Sequence, residues 1–175
     1  ETLDYAEMNR LAASVPAGSE GVLVVPFGNG AERMLCNRCP GAGIIGLDLN
    51  RHTTAHILRA AQEGIAYSFR SGIDIMRELG VRPDVIRAGA ANLFLSPLFR
   101  QTLSTLTGAR IELFNTDGAL GAARGAALGA GYYKTRGEAF AALRRLEVVE
   151  PAEADRETLE EGYRAWVREV EKRME

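Results

Sequence analysis

Short apolar runs and longer stretches of helical period alternate along this chain. Gly21-Val-Leu-Val-Val25 is apolar throughout and brief, as a buried strand is, and Gly43-Ile-Ile-Gly-Leu-Asp-Leu49 predicts a second strand. From 53 to 79 the apolar positions Leu58, Ile65, Phe69, Ile73 and Met76 fall near helical spacing, which predicts one long helix. Thr53 is placed to cap its start, and Gly80 to end it in the left-handed conformation. A shorter helix is predicted over 4–15. Val85-Ile-Arg-Ala88 reads as a strand, and Ser96-Pro97 opens a helix that stops at Gly108, with Ser as cap and Pro at the first position. A strand over 111–114 follows, then a helix over 118–131 capped by Asp117, and helical pattern over 135–145. Pro151 introduces a last helix over 155–174, with an apolar stripe of Leu159, Tyr163, Trp166, Val170 and Met174. Its acids Glu160 and Glu161 come early and its bases Arg168, Lys172 and Arg173 late, as the helix dipole favours. Strands alternating with helices argue an α/β domain.

Composition narrows the class. At 175 residues, 46% hydrophobic and 25% charged, the chain suits one globular domain with an appended element. The net charge of -2 is uneven, because 147–175 carries ten acids against five bases. The expected division is therefore 1–146 as the domain and 147–175 as an acidic helical extension. Nineteen of the 21 bases are Arg, and they are scattered, so no basic stripe with interleaved aromatics offers a nucleic-acid surface. Charges interrupt every apolar run, which argues against a membrane span. Two cysteines make no disulfide framework and read as reduced thiols, consistent with a cytoplasmic location. A start at Glu1 with no leader pattern reads as an excised or processed piece.

Three patterns imitate chemistry. Cys36-x2-Cys39-x12-His52-x3-His56 has the ligand spacing of a two-Cys two-His zinc finger. Gly43 stands where such a finger packs an aromatic, and both histidines open a helix that runs far beyond them, so the zinc reading loses. Gly41-Ala-Gly43-Ile-Ile-Gly46 satisfies the dinucleotide fingerprint, but no strand precedes it and a strand follows, which makes it a tight loop. Gly121, Gly125 and Gly129 read as a helix face that packs closely on the sheet or on a neighbouring helix. The chain offers no nucleophile paired with a base.

The informative segment is Ile86-Arg-Ala-Gly89-Ala-Ala-Asn92-Leu-Phe-Leu-Ser96-Pro97. A strand enters small residues that leave backbone accessible, and a well-capped helix follows, which makes a seat for a flat base and its phosphates. A plain strand-to-helix turn is the rival explanation. The run resembles the adenosine motif of the FGGY carbohydrate kinases. Three more matches fall in order. Gly21-Val-Leu-Val-Val-Pro26 with Gly30-Ala-Glu32-Arg33 is similar to the family's strand and Gly-Glu-Arg loop. Ile45-Gly46-Leu47 and Arg59-Ala-Ala-Gln62-Glu63-Gly64 resemble its approach to the long helix, and Asp117-Gly118 through Gly129 its Gly/Ala-rich helix. The likeness covers 20–133 and is greatest to xylulokinases.

The resemblance implies an actin-like ATPase (ribonuclease H-like) fold, the C-terminal lobe of a sugar kinase followed by an amphipathic helix. It implies that ATP, with Mg²⁺, places adenosine against Gly89, Ala90 and Asn92. The loop is longer than the common family form. Glu32 and Arg33 are expected to shape their own loop. The catalytic Asp and the sugar contacts are expected in an N-terminal domain outside these residues, so the chain alone is expected to be inactive. The last helix could serve an intrachain contact or a homodimer. The alternatives are a non-catalytic nucleotide-binding or scaffold module and, behind it, a zinc-binding module.

Overall fold

Helix α2 (Thr54–Glu78) is the element against which the first strand and three of the other helices pack. It lies in a computed structural model that describes residues 4–175. Thr53 and His56 close a reciprocal capping box at its start, and Gly80 takes the left-handed φ beyond its end. Its inner face buries Ala60, Ala66, Tyr67 and Ile73, whereas Phe69 and Met76, expected inside, are about half exposed. Gly64 has no side chain because the carbonyl of Val24 lies where a Cβ would be. That absence brings α2 close against strand β1 (Leu23–Phe27).

β1 pairs antiparallel with β2 (Gly41–Ile45), with Leu23 opposite Ile45 and Phe27 opposite Gly41. Both strands sit off the sequence-predicted spans. β1 runs through Pro26, which a two-stranded ribbon tolerates because one side of each strand is a free edge. Helix α1 (Tyr5–Ala13), capped by Asp4, precedes β1 and packs on α2. The linking turn, Gly18 to Gly21, has positive φ at all four residues, including Ser19 at 49° and Glu20 at 51°. Buried Glu63 holds that turn: its carboxylate accepts from Gly18 N, from Ser19 Oγ and from Arg59 Nε at 3.0, 3.0 and 2.8 Å. Arg59 in turn donates to the Val15 carbonyl.

The second sheet has the order β3-β4-β5. β3 (Val85–Gly89) runs parallel to β4 (Arg110–Phe114), joined by helix α3 (Pro97–Thr107). Ser96 caps α3 and Gly108 ends it with φ 68°. Asp117 caps α4 (Gly118–Gly129) through Leu120 N. The helical pattern expected over 135–145 is only the short helix α5 (Arg136–Phe140), and Arg145–Val149 is instead strand β5, antiparallel to β4. β5 crosses the position at which the sequence divides the domain from its extension. Ile111 and Val149 bury one sheet face with Phe99, Leu103 and Leu106 of α3.

Helix α6 (Arg156–Lys172) closes the core. Trp166, 1% exposed, meets Phe27 edge-on at 5.7 Å and donates from Nε1 to the Val24 carbonyl at 3.0 Å. Tyr163 donates to Asp74, and Arg70 spans from Asp74 to Glu160 across the Tyr163 ring. Burial, and then the bond to Asp74, push the Tyr163 phenol up to about 12. α4 contrasts with these helices. None of its residues is buried, and a Cβ added at Gly121, Gly125 or Gly129 would meet nothing within 4 Å. The close packing expected of those glycines is absent among the described residues.

Candidate nucleotide site

The chain leaves β3 through two tight bonds. Ala90 N donates to the Phe114 carbonyl and Ala91 N to the Gly89 carbonyl, both at 2.8 Å. Asn92 then enters the left-handed region with φ 51°, a conformation that Asn adopts more readily than most residues. A 3-10 turn over Asn92–Leu95 leads to the cap of α3. Beneath the turn, Phe94, Phe99 and Phe69 meet edge-to-face, Phe94 and Phe99 at 5.4 Å. Arg100 holds it from below, donating to the Phe94 carbonyl at 2.7 Å and pairing with Glu147 of β5 at 3.0 Å.

Two clefts flank the bend. The larger, about 370 Å³, is lined by Tyr5 and Asn9 of α1 and by Asn92, Leu93, Leu95 and Ser96. The smaller, about 190 Å³, is lined by Arg87, Ala88, Gly89, Phe114, Thr116 and Leu143. The sequence-predicted residues are thus divided. Asn92 faces the larger cleft, Gly89 the smaller, and Ala90 lines neither. Tyr5 and Asn9 had no sequence signal of their own, since they sit on a different helix more than eighty positions from Asn92.

The smaller cleft opens beside the solvent face of the second sheet. There Glu112, 4% exposed, accepts from Arg87 and Arg145 at 3.0 Å each and lies 3.6 Å from Arg110. Arg87, more than burial opposes it, holds the Glu112 carboxyl below its ordinary range. Arg124 adds a bond to Thr116 Oγ1 at 3.1 Å.

The residues of the Cys-Cys-His-His spacing lie in the hairpin loop and at the entry to α2. Cys36 and Cys39 are free, exposed thiols in the hairpin loop. His52 Nδ1 accepts from Asp48 N, and His56 Nδ1 from Thr53 N, so both rings hold the entry to α2. Among the described residues no three His, Cys, Asp or Glu side chains gather as a metal site. The backbone of Glu32 bridges to that of Arg38 across the same loop, and the Glu32 main-chain carbonyl accepts from Leu35 N and Asn37 N, while Arg33 starts a 3-10 turn. No described helix is long and apolar enough to cross a membrane.

Residues 2–133 match the family model described as the C-terminal domain of the FGGY family of carbohydrate kinases. The chain is 31% identical over 138 residues to a xylulose kinase of Haemophilus influenzae, covering 78% of this chain and 27% of that one. It is 33% identical over 177 residues to a glycerol kinase of Petrotoga mobilis, covering 97% and 34%. Among solved structures, xylulose kinase from Rhodospirillum rubrum superposes with a TM-score of 0.75 at 26% identity, covering 96% of this chain and 34% of that one. This chain belongs to the FGGY family of carbohydrate kinases, and its fold is that of the family's actin-like C-terminal lobe. It spans between 27% and 34% of the length of these relatives.

Proposed function

We propose that this chain is the nucleotide-holding lobe of an ATP-dependent sugar kinase whose substrate is a ketopentose such as xylulose. The observation that carries the reading is the larger cleft at the strand-to-helix bend. Leu93 and Leu95 give it an apolar wall, and the Asn92 side chain has no hydrogen-bond partner among the described residues. A planar base needs that combination, apolar area for stacking and a few placed polar groups for orientation. Mg²⁺ belongs to the nucleotide's phosphates in this scheme. A sugar hydroxyl attacks the γ-phosphorus, its proton goes to a carboxylate outside these residues, and ADP leaves.

Likeness to xylulose kinases favours xylulose, and the glycerol kinase relative keeps glycerol as the competing acceptor. Calorimetric titration of the chain with MgATP tests the nucleotide half of the proposal, with saturable binding expected and binding weakened by Asn92→Ala. No heat of binding at millimolar MgATP would sink it. Binding without sugar-dependent ADP formation, once the remainder of a family kinase is supplied, would point to a scaffold instead.

A further inference from the structure

The α1 wall of the larger cleft has a polarity that the fold imposes on it. The backbone N–H of Phe99 can only donate, and it donates to Ser96 Oγ at 3.2 Å. The Ser96 hydroxyl hydrogen is then free for Gln62 Oε1, 2.7 Å away. With its oxygen engaged, Gln62 turns its nitrogen outward, and Nε2 donates to Asn9 Oδ1 at 3.0 Å. Ser96 is 1% and Gln62 7% exposed, so turning Gln62 round would leave the buried Ser96 hydroxyl hydrogen without an acceptor and set Gln62 Oε1 against Asn9 Oδ1. The Asn9 oxygen is therefore committed inward. Its Nδ2, with two hydrogens to give, has no partner among the described residues and belongs to a side chain that lines the cleft.

Tyr5 lies one helical turn before Asn9, on the same face of α1, and lines the same cleft. It is 85% exposed, and its ring has no aromatic neighbour among the described residues. A large aromatic left in water beside an apolar cleft is a surface for stacking.

We infer that Tyr5 and Asn9 complete the base pocket. Tyr5 stacks on a planar heteroaromatic base, and Asn9 Nδ2 donates to an acceptor on that base, such as a purine ring nitrogen. Ser96 and Gln62 act as positioning residues that carry the direction of the Phe99 amide to the pocket. The inference rests on the proposal that this cleft takes the nucleotide, and it adds which side chains discriminate among bases. Asn9→Asp preserves the acceptor that Gln62 needs and replaces the outward donor with an acceptor.

Calorimetric titration with MgATP and with deaza analogues of ATP, each lacking one ring-nitrogen acceptor, tests it on the wild-type chain and on Asn9→Asp, Asn9→Ala and Tyr5→Ala. Asn9→Asp and Tyr5→Ala should each weaken ATP binding roughly tenfold, the loss of one good polar or stacking contact. One deaza analogue should bind weakly to wild type and lose nothing further in Asn9→Ala. Melting curves distinguish a lost contact from a lost fold, and exposed Tyr5 gives a variant that folds in any case. If wild type binds ATP and both substitutions leave the affinity unchanged, the inference falls while the nucleotide proposal stands. If wild type binds no nucleotide, both fall.

Discussion

The carbonyl oxygen of Thr116 occupies the space that a Cβ on Gly89 would fill. The end of β3 and the loop between β4 and α4 are therefore in backbone contact, and glycine is required there for protein packing. Neither atom belongs to a flexible side-chain tip, so Gly89→Ala must displace one of the two backbones. Overpacking of this kind costs about 1–3 kcal/mol. Urea denaturation should show that loss, with the smaller cleft distorted and nucleotide affinity reduced alongside. An unchanged midpoint would mean that the two segments separate freely.

The same contact shows what the sequence could and could not display. Caps are local, so Thr53, Ser96-Pro97, Gly108 and Asp117 marked their helix ends correctly from neighbouring residues alone. The bend at Asn92 was legible for the same reason, because a strand, small residues and a capped helix are consecutive. Thr116 against Gly89 is a long-range fact and left no local mark. Tyr5 and Asn9 reach the cleft only through the packing of α1 on α2. β5 was missed although Leu146-Glu-Val-Val149 ahead of Pro151 carries a strand-like run. The helical pattern before it masked the change of period. The glycines of α4 invited a packing argument that no described neighbour fulfils.

Glu63 and Arg59 form a buried pair, 1% and 6% exposed; the carboxylate's remaining bonds go to Gly18 and Ser19 in the left-handed turn, and the guanidinium's to the Val15 carbonyl just before it. Glu63→Gln removes the charge and leaves the Arg59 guanidinium buried without its counter-ion. Breaking one member of such a pair costs about 3–5 kcal/mol. The double variant Arg59→Met with Glu63→Leu should recover much of that loss in pair energy, yet remain below wild type, since the turn would keep its strained φ values without an anchor. Denaturant midpoints of the two variants check both statements. Equal stability of Glu63→Gln and wild type would refute the anchoring role.

Glu112 makes stability depend on pH in one direction. Its carboxyl is held below the ordinary 4.5, first by the bond from Arg87 and also by Arg145, so the native state releases the proton more readily than the unfolded chain. Its contribution is therefore complete above about pH 4.5 and is lost as pH falls through the lowered folded value. Glu112→Gln should melt below wild type at pH 7, and the gap should close as pH drops beneath that range. High salt should also narrow the gap, since Arg87 and Arg145 are largely exposed. A gap constant from pH 7 to pH 3 would assign the effect to shape rather than charge.

Trp166 tests whether the segment after residue 133, beyond the family match, belongs to the same cooperative unit. Its ring meets Phe27 edge-on and its indole nitrogen donates to the Val24 carbonyl, tying α6 to the first strand of the hairpin. Truncating a buried aromatic typically costs about 3–5 kcal/mol, a large share of the roughly 5–15 kcal/mol that holds a native domain together. Trp166→Ala should thus lower the melting temperature by roughly 6–20 °C, whereas Trp166→Phe should keep most of the apolar contact and lose about 1–3 kcal/mol for the Val24 carbonyl left without its donor. Trp166 is the sole tryptophan, so its native emission reports α6 alone. That emission should be blue-shifted and should shift red in the same transition that removes the helical circular dichroism. Two separate transitions would show α6 to be an independent appendage.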